Sequence, residues 1–95
     1  MNKKRDRLEI IRDILMAIQE KNGRIKPTHI LYKSNLSHQM MDEYMQELIS
    51  KDFIEESATK TGKTYFLKPR GFDYLSKYKL IVDFVESFGL GDEEK

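Results

Sequence analysis

At 95 residues, with 39% hydrophobic and 35% charged residues, the chain is long enough for one small domain and its core and for little more. It has no cysteine, which excludes a disulfide framework, a thiolate metal site and a cysteine nucleophile; it has no run of about 18 apolar residues, which excludes a membrane-spanning helix. The net charge of +1 conceals strong blocks, so a basic face is compatible with near neutrality: residues 1–40 and 57–80 each carry +5, whereas 41–56 carry −5 and 81–95 carry −4.

From Arg5 to Gln19, apolar residues at Leu8, Ile11, Ile14, Leu15 and Ile18 fall on one face of a helix, with Ile10 widening the stripe. The basic start "MNKKRDR" leads straight into this amphipathic helix, which is not the pattern of a secretory signal. Asn22-Gly23 is expected to end the helix, since glycine accepts the left-handed conformation of a helix C-cap. A short second helix follows Pro27, with Thr28 as its expected cap and Ile30, Leu31 and Tyr32 as its apolar residues.

Asn35 tolerates a left-handed turn, and Ser37 is a good N-cap for the next helix, His38 to about Lys51. Met40, Met41, Tyr44, Met45, Leu48 and Ile49 give that helix an adaptable apolar face. Its other face carries His38, Gln39, Asp42, Glu43, Gln46 and Glu47. Next, Phe53 to Ala58 and Thr64 to Leu67 have strand composition, and Thr59-Lys60-Thr61-Gly62-Lys63 between them predicts a hairpin with a basic tip. Pro69 stops the second strand.

A last helix runs from about Gly71 to Phe88. Its ten apolar or aromatic positions exceed what one small domain covers. Phe72 and Leu75 are expected to close the core, whereas Tyr74, Tyr78, Ile81, Val85 and Phe88 repeat at 4-3-4-3, the spacing of a helix-pair seam. Gly89 to Lys95 reads as a polar, frayed tail. The expected organisation is a domain over residues 1–69, a pairing helix over 70–90 and a tail over 91–95. The element order is helix, helix, turn, helix, strand, turn, strand, helix, an α+β winged helix-turn-helix with three helices, a two-stranded wing and an added C-terminal helix.

The segments "LEIIRDIL" (8–15), "ILYKSNLS" (30–37), "YMQELISKDFI" (44–54) and "YFLKPRGFDYL" (65–75) resemble small archaeal winged-helix DNA-binding proteins of about ten kilodaltons, chromatin-associated or regulator-like. The resemblance implies that Leu36-Ser37 opens a recognition helix and that the lysine-bearing hairpin is a wing. It also implies that the last helix pairs two subunits as an antiparallel coiled coil. Two departures stand out: acids on the recognition helix, and a final helix short for a long coiled coil.

Chemistry offers little against that picture. His29 and His38 lie on different helices, with no carboxylate at metal-ligand spacing, and read as exposed helix-start residues. "TKTGKT" (59–64) lacks the first glycine of a phosphate loop and joins two strands. Ser37 has no base-and-orienter pair in the sequence. No catalytic residue, metal, cofactor or small-molecule substrate is expected. For DNA, the helix start at Ser37 can hold a phosphate, while His38 and Gln39 sit where recognition helices touch bases. Lys33 can reach the backbone, and Lys60 and Lys63 can clamp phosphates. Asp42 or Glu43 can accept from cytosine, yet together they oppose non-specific binding. The expectation is a homodimeric regulator of double-stranded DNA, cytoplasmic and nucleoid-associated, paired through its C-terminal helix. The alternative is a winged-helix protein-interaction module that sets its acidic helix against a basic partner.

Overall fold

The computed structural model describes residues 6–89; Met1–Arg5 and the segment 90–95 lie outside the described residues, and with them the basic start and most of the expected polar tail. The first helix, α1 (Arg7–Glu20), begins at a capping box. Asp6 accepts the Glu9 N–H at 2.9 Å, and the Glu9 carboxylate accepts the Asp6 N–H at 3.1 Å. Its buried stripe is Ile10, Ile11, Ile14, Leu15, Ala17 and Ile18. Ile10, off the main stripe in sequence, is therefore core, while Leu8 at the helix start is 55% exposed. The helix stops at a Lys21 C-cap rather than at the expected glycine. Gly23 (φ +83°) instead turns the chain beside the wing: a Cβ there would lie 2.5 Å from the Phe66 ring.

The second helix, α2 (Pro27–Ser34), has Pro27 in its first turn and Lys26, not Thr28, as its N-cap. Proline fixes the helical φ of the first residue and has no N–H to satisfy, so this start needs no capping side chain. Ser34, fully buried, donates its hydroxyl back to the Ile30 carbonyl. The third helix, α3 (His38–Ser50), buries Met41, Met45 and Leu48, while Tyr44 and Ile49 are half-buried and Met40 faces outward.

The wing is β1 (Ile54–Thr59) paired antiparallel with β2 (Gly62–Leu67), in register from Ile54 opposite Leu67 to Thr59 opposite Gly62. Its loop is therefore only Lys60-Thr61; Lys63, expected in the turn, lies in the ladder opposite Ala58. Ile25 bridges Tyr65 on the other side of β2 and adds a short third strand. Ile14, Leu15, Ile18, Ile25, Ile30 and Ile54 are at most 1% exposed and form the centre of one core shared by helices and sheet.

The last helix, α4 (Pro69–Ser87), starts on Pro69 itself, so the proline that ends β2 also opens α4. Its first turns dock on the domain. Tyr74, expected outside it, is half-buried: its hydroxyl donates to the Leu8 carbonyl at 2.9 Å and its ring meets Phe53 edge-on. Tyr78 is half-buried beneath the Arg12 guanidinium. Phe72, expected in the core, is 42% exposed on the rim of a groove of about 480 Å³ between α1 and α4. Among the described residues no helix is long and apolar enough to cross a membrane.

Gly71 is buried where α4 meets the wing, and a Cβ there would fall 2.6 Å from the Phe53 carbonyl oxygen and 3.0 Å from Leu67 Cγ. Backbone cannot yield as a side chain can, so the helix would have to lift. Gly71→Ala is expected to destabilise the fold by about 1–3 kcal/mol, despite alanine's better helix propensity. Urea unfolding would measure it.

Candidate nucleic-acid interface

The turn between α2 and α3 is built as the residue types require. Asn35 takes the left-handed conformation (φ 56°, ψ 49°), and its N–H closes α2 on the Leu31 carbonyl at 2.9 Å. Leu36 tucks half-buried against the core. Ser37 then caps α3, its hydroxyl accepting the Met40 N–H at 3.2 Å. The result is a helix start at the surface, with Ser37, His38 and Gln39 all exposed and no acid in the first turn. Such a start presents its remaining N–H groups to an anion.

One turn further, Asp42 and Glu43 are exposed, and no Lys or Arg occurs on α3. Glu47 is different. It bridges Lys51 at 2.8 Å and Arg7 at the start of α1, and these two cations hold its carboxyl below the usual carboxylate range. Arg7 also stands over the Tyr44 ring. The third acid of α3 is thus part of the packing between helices.

The cations expected to touch a duplex divide into two kinds. Lys33 is exposed but ion-paired with Glu20 at 2.8 Å. Lys63 pairs with Glu56 at 2.9 Å, an ion pair that holds its ammonium above the ordinary lysine value, and Asp42 adds to the effect. Asp42 and Glu56 likewise raise the buried Tyr65 hydroxyl, after the larger effect of burial. Glu56 and Lys63 are thus in contact on the wing, and Asp42 of α3 is near enough to act on both Lys63 and Tyr65. Lys60, at the loop, is exposed and meets no carboxylate among the described residues.

The tip beside Lys60 is braced internally and from α2. Thr59 Oγ1 donates to the Gly62 carbonyl at 2.6 Å, and Lys26 Nζ donates to Thr61 Oγ1 at 3.1 Å. Lys26 is a residue that sequence reasoning passed over. Its signal was its place before Pro27, at a helix start, but only the return of the chain shows that the wing tip lies there. His29 and His38 sit apart on α2 and α3, and among the described residues no group of three His, Asp or Glu is placed to hold a metal ion.

On α4 the expected seam splits. Tyr74 and Tyr78 belong to the domain, Val85 is half-buried, and Ile81 and Phe88 are exposed with Leu80 and Phe84 beside them. Those four side chains, each 61–65% exposed, form the apolar face that projects beyond the domain. Phe84 and Phe88 pack edge to face upon each other.

A helix-turn-helix backed by a hairpin and by a third strand edge defines a winged-helix protein. The model of the family described as winged helix-turn-helix matches residues 4–86, and the chain belongs to that family. An uncharacterized protein of Methanocaldococcus jannaschii is 38% identical over 74 residues, 78% of this chain; the chain spans only about a third (32%) of that relative's length. Solved structures share the fold. Sso10a-2, a DNA-binding protein from Sulfolobus solfataricus, superposes with a TM-score of 0.75 at 17% identity, covering 88% of this chain and 85% of its own. F-93 of SSV1 gives 0.67 at 17% identity, over 93% and 99% of the two chains. F93 from STIV, a winged-helix DNA-binding protein, gives 0.65 at 19% identity, over 82% and 90%.

The Glu47 bridge has a pH signature. A carboxyl depressed in the folded state stabilises above its ordinary value, and that contribution is lost as pH falls through the depressed one. Wild type is expected to have the higher urea midpoint over Glu47→Gln at pH 7, with the two converging at pH 3. Equal midpoints at pH 7 would show that the bridge contributes nothing.

Proposed function

We propose that this chain is a DNA-binding protein that acts as a dimeric transcriptional regulator, cytoplasmic and nucleoid-associated. The observation that carries the proposal is the exposed, serine-capped start of α3 in one domain with a wing whose two-residue loop bears an exposed lysine that meets no carboxylate among the described residues. That arrangement offers a phosphate the N–H groups at Ser37 and offers base edges His38 and Gln39, where glutamine can bond adenine with both its amide atoms. The fold likeness to proteins described as DNA-binding supports the reading. Residues up to Lys68 would do the reading and α4 the pairing, although the first turns of α4 are also part of the domain's own core.

Within this scheme Lys63 reaches a phosphate only by leaving Glu56, whereas Lys60 and the Ser37 helix start are available at once. Asp42 and Glu43 repel a non-specific backbone and favour sites where a cytosine amino group can be accepted. The same two acids favour a second reading, a module that docks a basic protein surface. Salt separates them. Fluorescence anisotropy with a mixed-sequence duplex between about 50 and 200 mM salt is expected to show binding whose logarithm falls by about 0.9 per phosphate neutralised. Lys60→Ala with Lys63→Ala should flatten that slope by about 1–2 without changing the urea midpoint. Absence of binding at the low-salt end would leave the protein-docking reading.

For the dimer, the face to be covered is Leu80, Ile81, Phe84 and Phe88. Charge sets the polarity of the pair. The first half of α4 carries Arg70 and Lys77 against Asp73, and the second half carries Asp83 and Glu86 against Lys79. Antiparallel helices place unlike halves together, and parallel ones place like halves together. Two copies would present two α3 helices to half-sites about 34 Å apart on one face of the duplex. Light scattering is expected to give twice the 11.3 kDa chain mass. Phe84→Asp should yield a folded monomer, and a monomeric wild type would refute the pairing.

A further inference from the structure

A group of exposed cations gathers on the strand-side return of the chain from α1 to α2 and on the wing tip that meets it. Toward α3, Lys63 of the wing is ion-paired with Glu56, and Asp42 acts on the same ammonium. On the other side, the chain returns from α1 to α2 as the short strand through Ile25, and exposed cations line that return. Lys21 caps α1, Arg24 flanks the Ile25 bridge, and Lys26 opens α2. The alternation of a strand turns Ile25 inward, where it is 1% exposed, and leaves both of its neighbours outside.

Contacts join these groups into one surface. Lys26 Nζ donates to the wing-tip Thr61 at Oγ1 (3.1 Å) and at its carbonyl (3.4 Å), which brings Lys60 alongside. Neither bond neutralises the ammonium, because both acceptors are uncharged. At the other end, Lys21 Nζ lies 3.5 Å from His29 Nδ1 on α2. Arg24 and Lys60 meet no carboxylate among the described residues. The carboxylate in contact with this surface is Glu20, and Lys33 engages it at 2.8 Å. Glu55, on the far strand of the wing, acts on Lys68 instead. The uncapped start of α2 adds its N–H groups to the same side.

We propose that the wing tip, the start of α2 and the end of α1 form one cationic surface that holds the phosphate backbone of duplex DNA, flanking the bases that α3 reads. Lys60, Lys26, Arg24 and Lys21 follow one another along it, and a row of fixed cations matches the regular charge of a duplex backbone better than any compact anion. The surface supplies affinity that does not depend on sequence, and α3, acidic past its first turn, supplies discrimination. The division explains why an acidic reading helix is tolerated: the phosphates are held elsewhere.

The inference rests on the DNA-binding reading above, and the test separates the two. Arg24→Gln with Lys26→Gln, and Lys21→Gln with Arg24→Gln, are titrated against a 24-base-pair mixed-sequence duplex from about 50 to 200 mM salt. The second pair leaves the Lys26–Thr61 brace intact. Each double variant is expected to lower the logarithmic salt slope by about 1.8 and to weaken binding roughly ten-fold, alike on unrelated sequences. Gln39→Ala should instead change sequence preference and keep the slope. If the wild type binds and both double variants keep its slope and affinity, the surface is not a contact and the proposal falls alone. Loss confined to the variant with Lys26→Gln also overturns it, because that is a local defect of the wing. No wild-type binding at 50 mM overturns both readings.

Discussion

The extended return of the chain from α1 to α2 fixes nearly everything else. Asn22 accepts the Leu67 N–H through its side chain at 2.7 Å, Gly23 donates to the Tyr65 carbonyl at 2.9 Å, and Ile25 is sealed beneath the sheet. These bonds pin the wing to the α1–α2 pair. Leu67 and Phe53 in turn hold the start of α4 through Gly71, so wing, helices and C-terminal helix share one set of constraints. The position of the wing tip relative to the start of α3 is therefore not a property of the hairpin. It follows from the six-residue connection between α1 and α2, which bonds to β2 through Asn22 and Gly23 and to the hairpin loop through Lys26. A hairpin of two strands is marginal alone, and the third edge makes this one part of the core.

Local chemistry was legible in the sequence wherever a residue type has one dominant use. Asn35 in the left-handed region, Ser37 as a cap and Gly62 in the tight hairpin all stand where their types predicted. The buried stripe of α1 followed from spacing, except at its exposed first member, Leu8. What stayed hidden required knowledge of a partner across the fold. Thr28 lost the cap because Pro27 needs none, and the short strand at Ile25 is invisible to periodicity because one residue has no period. The ion pairs of Lys63 and Lys33 depend on Glu56 across a ladder and on Glu20 across a helix pair.

The last helix shows the same limit in a sharper form. A helix apolar on all sides gives no phase, so the 4-3-4-3 repeat through Tyr74, Tyr78, Ile81, Val85 and Phe88 was one of several seams that fit. The structure chooses by chemistry and not by spacing. Tyrosine hydroxyls need partners when half-buried, and Tyr74 finds one in the Leu8 carbonyl while the Tyr78 ring lies under Arg12. Leu80, Ile81, Phe84 and Phe88, which have no polar side-chain atom, are left outside, while Leu75, Val82 and Val85 are half-buried. Four adjacent apolar side chains on a helix that projects from a highly charged domain are costly to leave in water, and the proposed pairing with a second copy would remove that cost.

Charge is distributed by the same economy of faces. Along the chain the blocks alternate in sign, yet in three dimensions they do not average out. Asp42 of α3 and Glu56 of β1 both act on Lys63, and the cations at the end of α1 and the start of α2 lie along the other edge of the wing with its tip. A reading helix that also carried the phosphate-binding charge would bind any duplex strongly, and discrimination among sites would shrink accordingly. Placing acids one turn past His38 and Gln39 makes the backbone unwelcome at α3 unless the bases offset the repulsion. On the proposed reading, affinity and selectivity would rest on different surfaces of one small domain, joined by the short strand that holds the wing in place.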